Sequence, residues 1–220
     1  MIRSELEHAI RAAARIMQAN SIIVIGSQSI LGTWSEDELP PLVTASPEVD
    51  MMPLSDDDSE ALARRLDIAG EWSAFHQAHG FYIDGVGRST ATLPGGWEER
   101  LVDVEAVDFD GVRSFGLCLD PHDLCVAKVV AHREKDRAFV DALIVAGLID
   151  PEVLLERLTV TERIDGISLD YAYGWLLDRV GANASTTASQ GPTRSPGWEQ
   201  PRDQRGRFEP VPQSEPEISL

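Results

Sequence analysis

The chain contains little lysine, little cysteine and no long apolar run. Lysine occurs only at Lys128 and Lys135, whereas arginine occurs seventeen times. The two cysteines, Cys118 and Cys125, lie in apolar surroundings without a paired cysteine motif, which argues against a disulfide framework and predicts reduced core thiols. No apolar run approaches the roughly 18 residues that a membrane span needs. Because the N-terminus is a charged amphipathic stretch instead of a signal peptide, we expect a cytoplasmic protein that binds no membrane.

Positive charge is also scarce in total. The 220 residues carry a formal net charge of −18, and 43% of them are hydrophobic, which is enough for the core of one ordinary domain. A broad electrostatic contact with DNA requires basic surface, so the composition argues against broad DNA binding. It leaves room for a local basic pocket that binds one nucleotide. The acidity also suits a basic partner, although it can equally reflect a generally acidic proteome.

Hydrophobic periodicity predicts an α+β protein in which short strands and helices mix. Apolar or alternating segments predict strands at residues 22–25, 49–54, 81–86, 101–107 and 112–118. Helical spacing predicts helices at residues 2–19, 55–68, 71–79, 121–132, 135–147, 151–158 and 169–180. We expect the strands at 101–107 and 112–118 to pair across a turn.

Composition divides the chain near residue 182. Residues 1–120 are predicted to form a core, and residues 121–182 a C-terminal helical part of the same unit. Beyond that point Ser, Thr, Gly, Pro, Gln and Arg dominate, which predicts a disordered tail at 183–220. Trp198 and Phe208 leave two interpretations of this tail: a segment that binds a partner protein, or an unstructured extension.

A phosphate-binding turn is the first candidate site. Gly26 and Ser27 directly follow the predicted strand at 22–25 and precede a predicted helix. Small residues at such a junction let the backbone approach a phosphate, and the first amides of the helix supply hydrogen-bond donors. The alternative is a plain turn.

Paired carboxylates form the second candidate site. Alternation along a strand places Glu48 and Asp50 on the same side, where they can share Mg²⁺, a cation that prefers oxygen ligands. Two such ions about 4 Å apart can activate a hydroxyl and stabilise a leaving pyrophosphate. Asp103 or Glu105 on a later alternating strand is a candidate third carboxylate. The alternative in each case is a solvated strand edge.

Lys128 is the third candidate. It lies in an apolar helical run, where an uncompensated charge would be expensive, so we expect it to meet an anion. That anion is either a carboxylate such as Asp123, forming a structural ion pair, or a ligand phosphate. Arg133 and Lys135 can bind a triphosphate or an acceptor, or they can pair with the neighbouring acids Glu134 and Asp136.

These motifs together resemble a known superfamily. The stretch Ile23-Val-Ile-Gly26-Ser27, the pair Glu48-Val-Asp50, a later acidic strand and Asp123 with Lys128 resemble the polymerase-beta-type nucleotidyltransferases, in particular the bacterial branch linked to toxin–antitoxin and abortive-infection systems. An uncharacterised family within this superfamily is similar over residues 5–160. That similarity rests on Gly26-Ser-Gln-Ser-Ile-Leu-Gly32, Glu48-Val-Asp50, Phe75-His76, Leu93-Pro-Gly-Gly-Trp-Glu-Glu-Arg-Leu-Val102, Cys118-Leu-Asp-Pro-His-Asp123-Leu and Arg133-Glu-Lys-Asp136.

The resemblance implies a small mixed sheet flanked by helices, with nucleotide phosphates at Gly26 and Ser27. It implies that Glu48 and Asp50, with Asp103 as the candidate third ligand, hold one or two Mg²⁺ ions. Asp123 and Lys128 would lie beside the acceptor or the triphosphate. The first acid is Glu48 where the superfamily has Asp, and the loop at 28–47 is long, which fits either a lid or acceptor site or a site that binds without catalysing.

The resulting hypothesis is a Mg²⁺-dependent nucleotidyltransferase. It would move a nucleoside monophosphate from a nucleoside triphosphate to a hydroxyl on protein or RNA, with a toxin–antitoxin or phage-defence system as one setting. The alternative is a catalytically inactive binding or antitoxin-like module with the same fold. A third hypothesis is an acidic interaction protein whose tail recruits a partner protein.

Overall fold

The structure is a computed structural model that describes residues 1–55, 59–161 and 169–189, with side chains described as far as residue 182. The chain divides into two units, Met1–Ala182 and Asn183–Leu220. The predicted disordered tail begins at residue 183, but the last helix continues to Ser189. Residues 190–220, and the acidic helix cap predicted at 56–58, lie outside the described residues.

The predicted mixture of strands and helices is confirmed. The strands are β1 (Ser21–Val24), β2 (Glu48–Met52), β3 (Tyr82–Gly85), β4 (Val102–Val107) and β5 (Arg113–Cys118). The α-helices are α1 (Arg3–Met17), α2 (Ser59–Ala63), α3 (Ala74–His79), α4 (Pro121–Ala131), α5 (Glu134–Val145), α6 (Pro151–Thr159) and α7 (Asp170–Ser189). Among the described residues, no helix combines the length and apolar character that crossing a membrane requires.

Two predicted helices are shorter or tighter than expected. After Gly26 the chain forms a 3₁₀ helix at Ser27–Gly32 rather than an α-helix. Where one helix was predicted over 55–68, α2 gives way to a 3₁₀ helix at Arg64–Ala69. Both segments are only five or six residues long, and runs this short gain little from α-helical cooperativity.

The five strands form one mixed sheet in the order β3-β2-β1-β5-β4. β1 pairs antiparallel with β2 and parallel with β5, and β2 pairs parallel with β3. β4 and β5 form the predicted antiparallel hairpin, with Asp103 opposite Leu117. The sheet is therefore assembled from chain segments that lie far apart in sequence.

Helix α1 covers the centre of the sheet. Its buried residues include Leu6, Ile10 and Ala13, which share one helical face. Ile10 packs directly on Gly116 of β5, where a Cβ would overlap its side chain. Both cysteines are free and buried, as predicted, and burial raises the pKa of each thiol.

Candidate functional site

Three carboxylates meet on one face of the sheet. In the parallel pairing of β2 with β3, Asp50 lies opposite Asp84. Alternation puts Glu48 on the same face as Asp50, while Val49 and Ile83 point to the other face and are fully buried. Carboxylate oxygens of Glu48, Asp50 and Asp84 lie within 4.8 Å of one another. The pair predicted from sequence is thus completed by an acid from the neighbouring strand.

The Gly26 turn lies against this group. Gly26 has φ +67° and ψ −172°, a backbone conformation that is essentially restricted to glycine. A Cβ at this position would overlap the carboxylate of Asp50, whose own Cβ would lie 3.0 Å away. The backbone amide of Ile25 also donates a hydrogen bond to the Asp50 carbonyl at 3.0 Å. Because residue 26 is a glycine, the turn can lie in direct contact with the Asp50 carboxylate.

The environment of Asp50 disfavours its negative charge. Burial, followed by the nearby charges of Glu48 and Asp84, raises the pKa of Asp50 to about 7, against the opposing effect of Lys128. Burial and the charge of Asp67 also raise the pKa of Asp84. A carboxyl group that titrates near neutral pH is a common property of functional sites. Here the cause is first the burial of Asp50 and then the crowding of acids around it.

The carboxylates line a cavity of about 740 Å³. Three cationic residues line the same cavity: Lys128, Arg133 and Lys135. Both lysines of the chain therefore reach this cavity. Leu42, Val43 and Ser46, from the long loop between β1 and β2, form part of its wall. Its size matches the usual range for small-molecule sites.

Lys128 is buried, and its ammonium group has polar and aromatic neighbours. The Nζ atom donates to the Oγ atom of Ser27 at 2.9 Å and to the Oδ1 atom of Asp136 at 3.1 Å. It also lies 4.4 Å from the centroid of the Phe139 ring. Asp136 is 1% exposed and binds Arg133 with its second oxygen. The expected anion near Lys128 is therefore present, and it links two cations of the cavity.

Asp123 does not pair with Lys128, so that predicted pair is wrong. The two residues are five apart on α4, which places their side chains about 140° apart around the helix. Asp123 is completely buried and accepts hydrogen bonds from Arg100 at 2.8 and 3.0 Å. It also lies 2.9 Å from the Nη1 atom of Arg157. Asp123 does not line the cavity, and its contacts are those of a structural ion-pair network.

The predicted placement of Asp103 beside Glu48 and Asp50 is also wrong. Asp103 and Glu105 are on β4, at the sheet edge opposite β3, with three strands between. Both residues are exposed, and Glu105 forms an ion pair with Arg113. The solvated strand edge, the alternative interpretation of these acids, fits their surroundings. Asp84 occupies the position for which Asp103 was proposed.

Asp84 and Asp136 are the site residues that sequence reasoning missed. The segment containing Asp84 was recognised as extended, but nothing in its local pattern indicates a parallel pairing with β2. A usable signal is that Tyr82-Ile-Asp84 repeats the polar–apolar–polar alternation of Glu48-Val-Asp50. Asp136 was considered as a surface partner of Arg133. It does bind Arg133, but the packing of α5 against α4 also buries it beside Lys128.

The three carboxylates suit a divalent cation. Oxygen ligands are those that Mg²⁺ prefers, and one cation can be held by a few carboxylates together with substrate phosphates. Burial and, after it, the charges of Glu48 and Asp84 raise the pKa of Asp50, and a bound dication would offset the repulsion among the acids. Histidine and cysteine are absent from this group, so its chemistry favours a hard cation over zinc.

Comparison with protein-family models gave a match to DUF6036, described as "Nucleotidyltransferase of unknown function", over residues 4–176. Searches of curated proteins and of solved structures found no match. The matched segment contains the Gly26 turn, the three carboxylates and the three cationic residues of the cavity. A nucleotidyltransferase acts on a nucleoside triphosphate, so the family supports transfer of a nucleotidyl group. The chain belongs to the DUF6036 family of nucleotidyltransferases.

Proposed function

We propose that this protein is a Mg²⁺-dependent enzyme that transfers a nucleoside monophosphate from a nucleoside triphosphate to a hydroxyl group on protein or RNA. One observation carries the proposal: Glu48, Asp50 and Asp84 line the same cavity as Lys128, Arg133 and Lys135. Acids that can hold a metal and cations that can neutralise phosphates are the two parts that phosphoryl-type transfer needs. The same arrangement supports a relationship to the polymerase-beta-type superfamily.

The phosphates would bind between the Gly26 turn and Lys128. Gly26 has no side chain to obstruct a phosphate, and the Oγ atom of Ser27 already accepts a hydrogen bond from Lys128. Lys128, Arg133 and Lys135 would neutralise the triphosphate, and the charge that develops on the departing pyrophosphate. Asp136 would hold Lys128 and Arg133 in position between turnovers.

Glu48, Asp50 and Asp84 would hold the metal. When bound, Mg²⁺ would supply Lewis-acid stabilisation of the charge on the phosphoryl oxygens. Asp84, which is more exposed than Asp50 and lies on the edge strand, is the candidate acceptor of the proton from the attacking hydroxyl. The acceptor oxygen bonds to the α-phosphorus, the bond from that phosphorus to pyrophosphate breaks, and the hydroxyl proton moves to the Asp84 carboxylate.

Transfer of label from α-³²P nucleoside triphosphates to total protein and total RNA tests this proposal. Incorporation should require Mg²⁺ and should fall by about 100-fold or more in Asp50→Ala, Asp84→Asn and Lys128→Ala. Asp103→Asn is the matched control, because Asp103 is an exposed strand acid at the opposite sheet edge. Equal activity in Asp84→Asn and Asp103→Asn would contradict the assignment of the third carboxylate.

The same assay separates the enzyme from the inactive module. Absence of incorporation, together with absence of Mg²⁺-dependent triphosphate binding, would favour a binding or antitoxin-like protein that has kept the fold. Glu48 in place of the superfamily's Asp and the long loop at 28–47 are the features that favour this alternative. The completed carboxylate group, with Asp84 as its third member, favours the enzyme.

The proposed setting is a toxin–antitoxin or phage-defence system in the cytoplasm, and it rests on the motif resemblance alone. Expression of the protein and of Asp50→Ala in a bacterial host tests it. Growth arrest or phage resistance that depends on Asp50 would support it. The site takes residues from both 1–120 and 121–182, which supports treating these segments as one functional unit.

A further inference from the structure

A row of aromatic side chains leads from the carboxylate group to the surface. Tyr82 lies opposite Glu48 in the β2–β3 pairing and two residues before Asp84, so it shares their sheet face. The His76 ring lies 4.9 Å from the Tyr82 ring, and the Trp72 ring lies 6.1 Å from the His76 ring. Tyr82 does not line the cavity, whereas its neighbours Glu48 and Asp84 do.

Trp72 is held outside the core by the local backbone. Its residue is 78% exposed although indole is one of the largest apolar side chains. The Trp72 amide donates to the Nδ1 atom of His76 at 3.1 Å, and its carbonyl accepts from the Nε2 atom of Gln77 at 3.2 Å. Ser73 caps α3 by accepting a hydrogen bond from the His76 amide. The exposed ring is therefore attached to an ordered turn.

The surroundings of this row are acidic. Glu71 directly precedes Trp72, and Glu48 and Asp84 share the sheet face of Tyr82. Carboxylates beside open aromatic faces attract ammonium and guanidinium groups, because ring faces also favour cations. The same carboxylates repel a phosphodiester chain. The charge around the row therefore complements a basic peptide and opposes RNA.

We propose that Trp72, His76, Tyr82 and Glu71 form a docking surface for a basic segment of a protein acceptor. This inference rests on the proposed function and names the acceptor class. Arginine or lysine side chains would lie on the indole and phenol rings and pair with Glu71. A neighbouring Ser, Thr or Tyr hydroxyl of the same segment would then reach Asp84 along the shared sheet face.

The β4–β5 turn provides a matched control surface. Phe109 is fully exposed and is flanked by Asp108 and Asp110, so it too is an aromatic residue in acidic surroundings. It lies at the tip of the hairpin formed by β4, the strand at the opposite sheet edge from β3. Because Asp108 is paired with Arg15, Phe109 controls for attraction that depends only on an exposed ring.

The test measures fluorescence anisotropy of short labelled probes bound to the full chain, without triphosphate or Mg²⁺. The probes are a peptide in which arginine alternates with glycine around one serine, the same peptide with glutamine for arginine, and an oligouridine. The arginine peptide should bind best. Its Kd should rise about three- to thirtyfold in Trp72→Ala and in Glu71→Gln, because each removes one favourable contact for a cation. Phe109→Ala should leave its Kd unchanged.

Several results would overturn the docking surface. These are no binding of the arginine peptide, equal Kd values for Trp72→Ala and Phe109→Ala, and tighter binding of oligouridine than of the peptide. Circular dichroism checks that each variant is folded, and Glu71→Gln keeps the test decisive if Trp72→Ala unfolds. If the protein transfers label to another acceptor but does not bind the arginine peptide, the docking surface is rejected and the proposed enzyme is not. Peptide binding through Trp72 without triphosphate binding would reject the proposed enzyme alone.

Discussion

At the scale of single residues, Gly26 makes the clearest prediction. Gly26 and Gly111 both have positive φ, +67° and +77°, but only Gly26 has another group where a Cβ would lie. Gly111→Ala should cost about 1–2 kcal/mol of unfolding free energy from backbone strain. Gly26→Ala should cost about 2–6 kcal/mol, because overlap with Asp50 adds to the same strain. Urea unfolding of both variants measures the difference, and equal losses would contradict the close approach.

Asp50 makes a prediction about pH. Its pKa is raised on folding from 3.8 to about 7, so the folded protein binds more protons than the unfolded chain between these values. Stability is then fully retained below about pH 4 and falls as pH rises towards 7. Without divalent cations, Asp50→Asn should be more stable than the natural protein at pH 8 and similar at pH 4. The ceiling on the gain is about 4 kcal/mol.

Thermal unfolding at both pH values measures this effect, and Asp103→Asn is again the control. Saturating Mg²⁺ should stabilise the natural protein at pH 8 and remove the advantage of Asp50→Asn. A gain that is the same at both pH values would show that charge crowding at Asp50 is not its cause. The comparison thus measures how much the ionised Asp50 carboxylate lowers the free energy of unfolding.

At the scale of secondary-structure elements, Asp123 joins three segments. It lies in the first turn of α4 and binds Arg100 from the 3₁₀ helix Trp97–Arg100 and Arg157 from α6. Asp123→Asn should cost about 3–5 kcal/mol of unfolding free energy, because it leaves Arg100 without its buried counter-ion and leaves Arg157 with Asp120 alone. Arg15→Gln breaks the surface pair with Asp108 and should cost far less, because the Arg15 side chain is largely exposed to solvent.

Denaturant unfolding compares these two variants. Triphosphate binding distinguishes a structural Asp123 from a catalytic one. A folded Asp123→Asn protein should still bind nucleoside triphosphate with Mg²⁺. Loss of binding in a variant whose circular dichroism is unchanged would return Asp123 to the candidate site.

Most elements could be predicted because each has a local signal. The alternation at 101–107 and the turn after it indicate a hairpin, and apolar spacing indicates α1 and α4. The parallel pairing of β2 with β3 has no such signal, since it depends on which strands become neighbours in the sheet. This is why Glu48 and Asp50 could be placed on one face from sequence, but Asp84 could not.

At the scale of the whole molecule, the free-energy cost of burying a charge predicted the surroundings of Lys128 better than the short sequence distance between Lys128 and Asp123 did. The argument that buried Lys128 must meet an anion predicted the presence of a counter-ion correctly. It could not identify Asp136, because the identity of that partner depends on how α5 packs against α4. The formal net charge of −18 gives no indication of this site. Both lysines of the chain nevertheless line one cavity.

The order of strands in the sheet has a consequence for folding during synthesis. β1 lies at the centre of the sheet, beside β2 and β5, yet Ser21 pairs with Phe115, which the ribosome adds much later. Glu48, Asp50 and Asp84 are all translated before Lys128 and Asp136 exist. A nascent chain that has paired β1, β2 and β3 therefore holds its acids together before their counter-charge has emerged. Until α4 and α5 leave the exit tunnel, that half-sheet has an open edge at β1 and is exposed to premature aggregation.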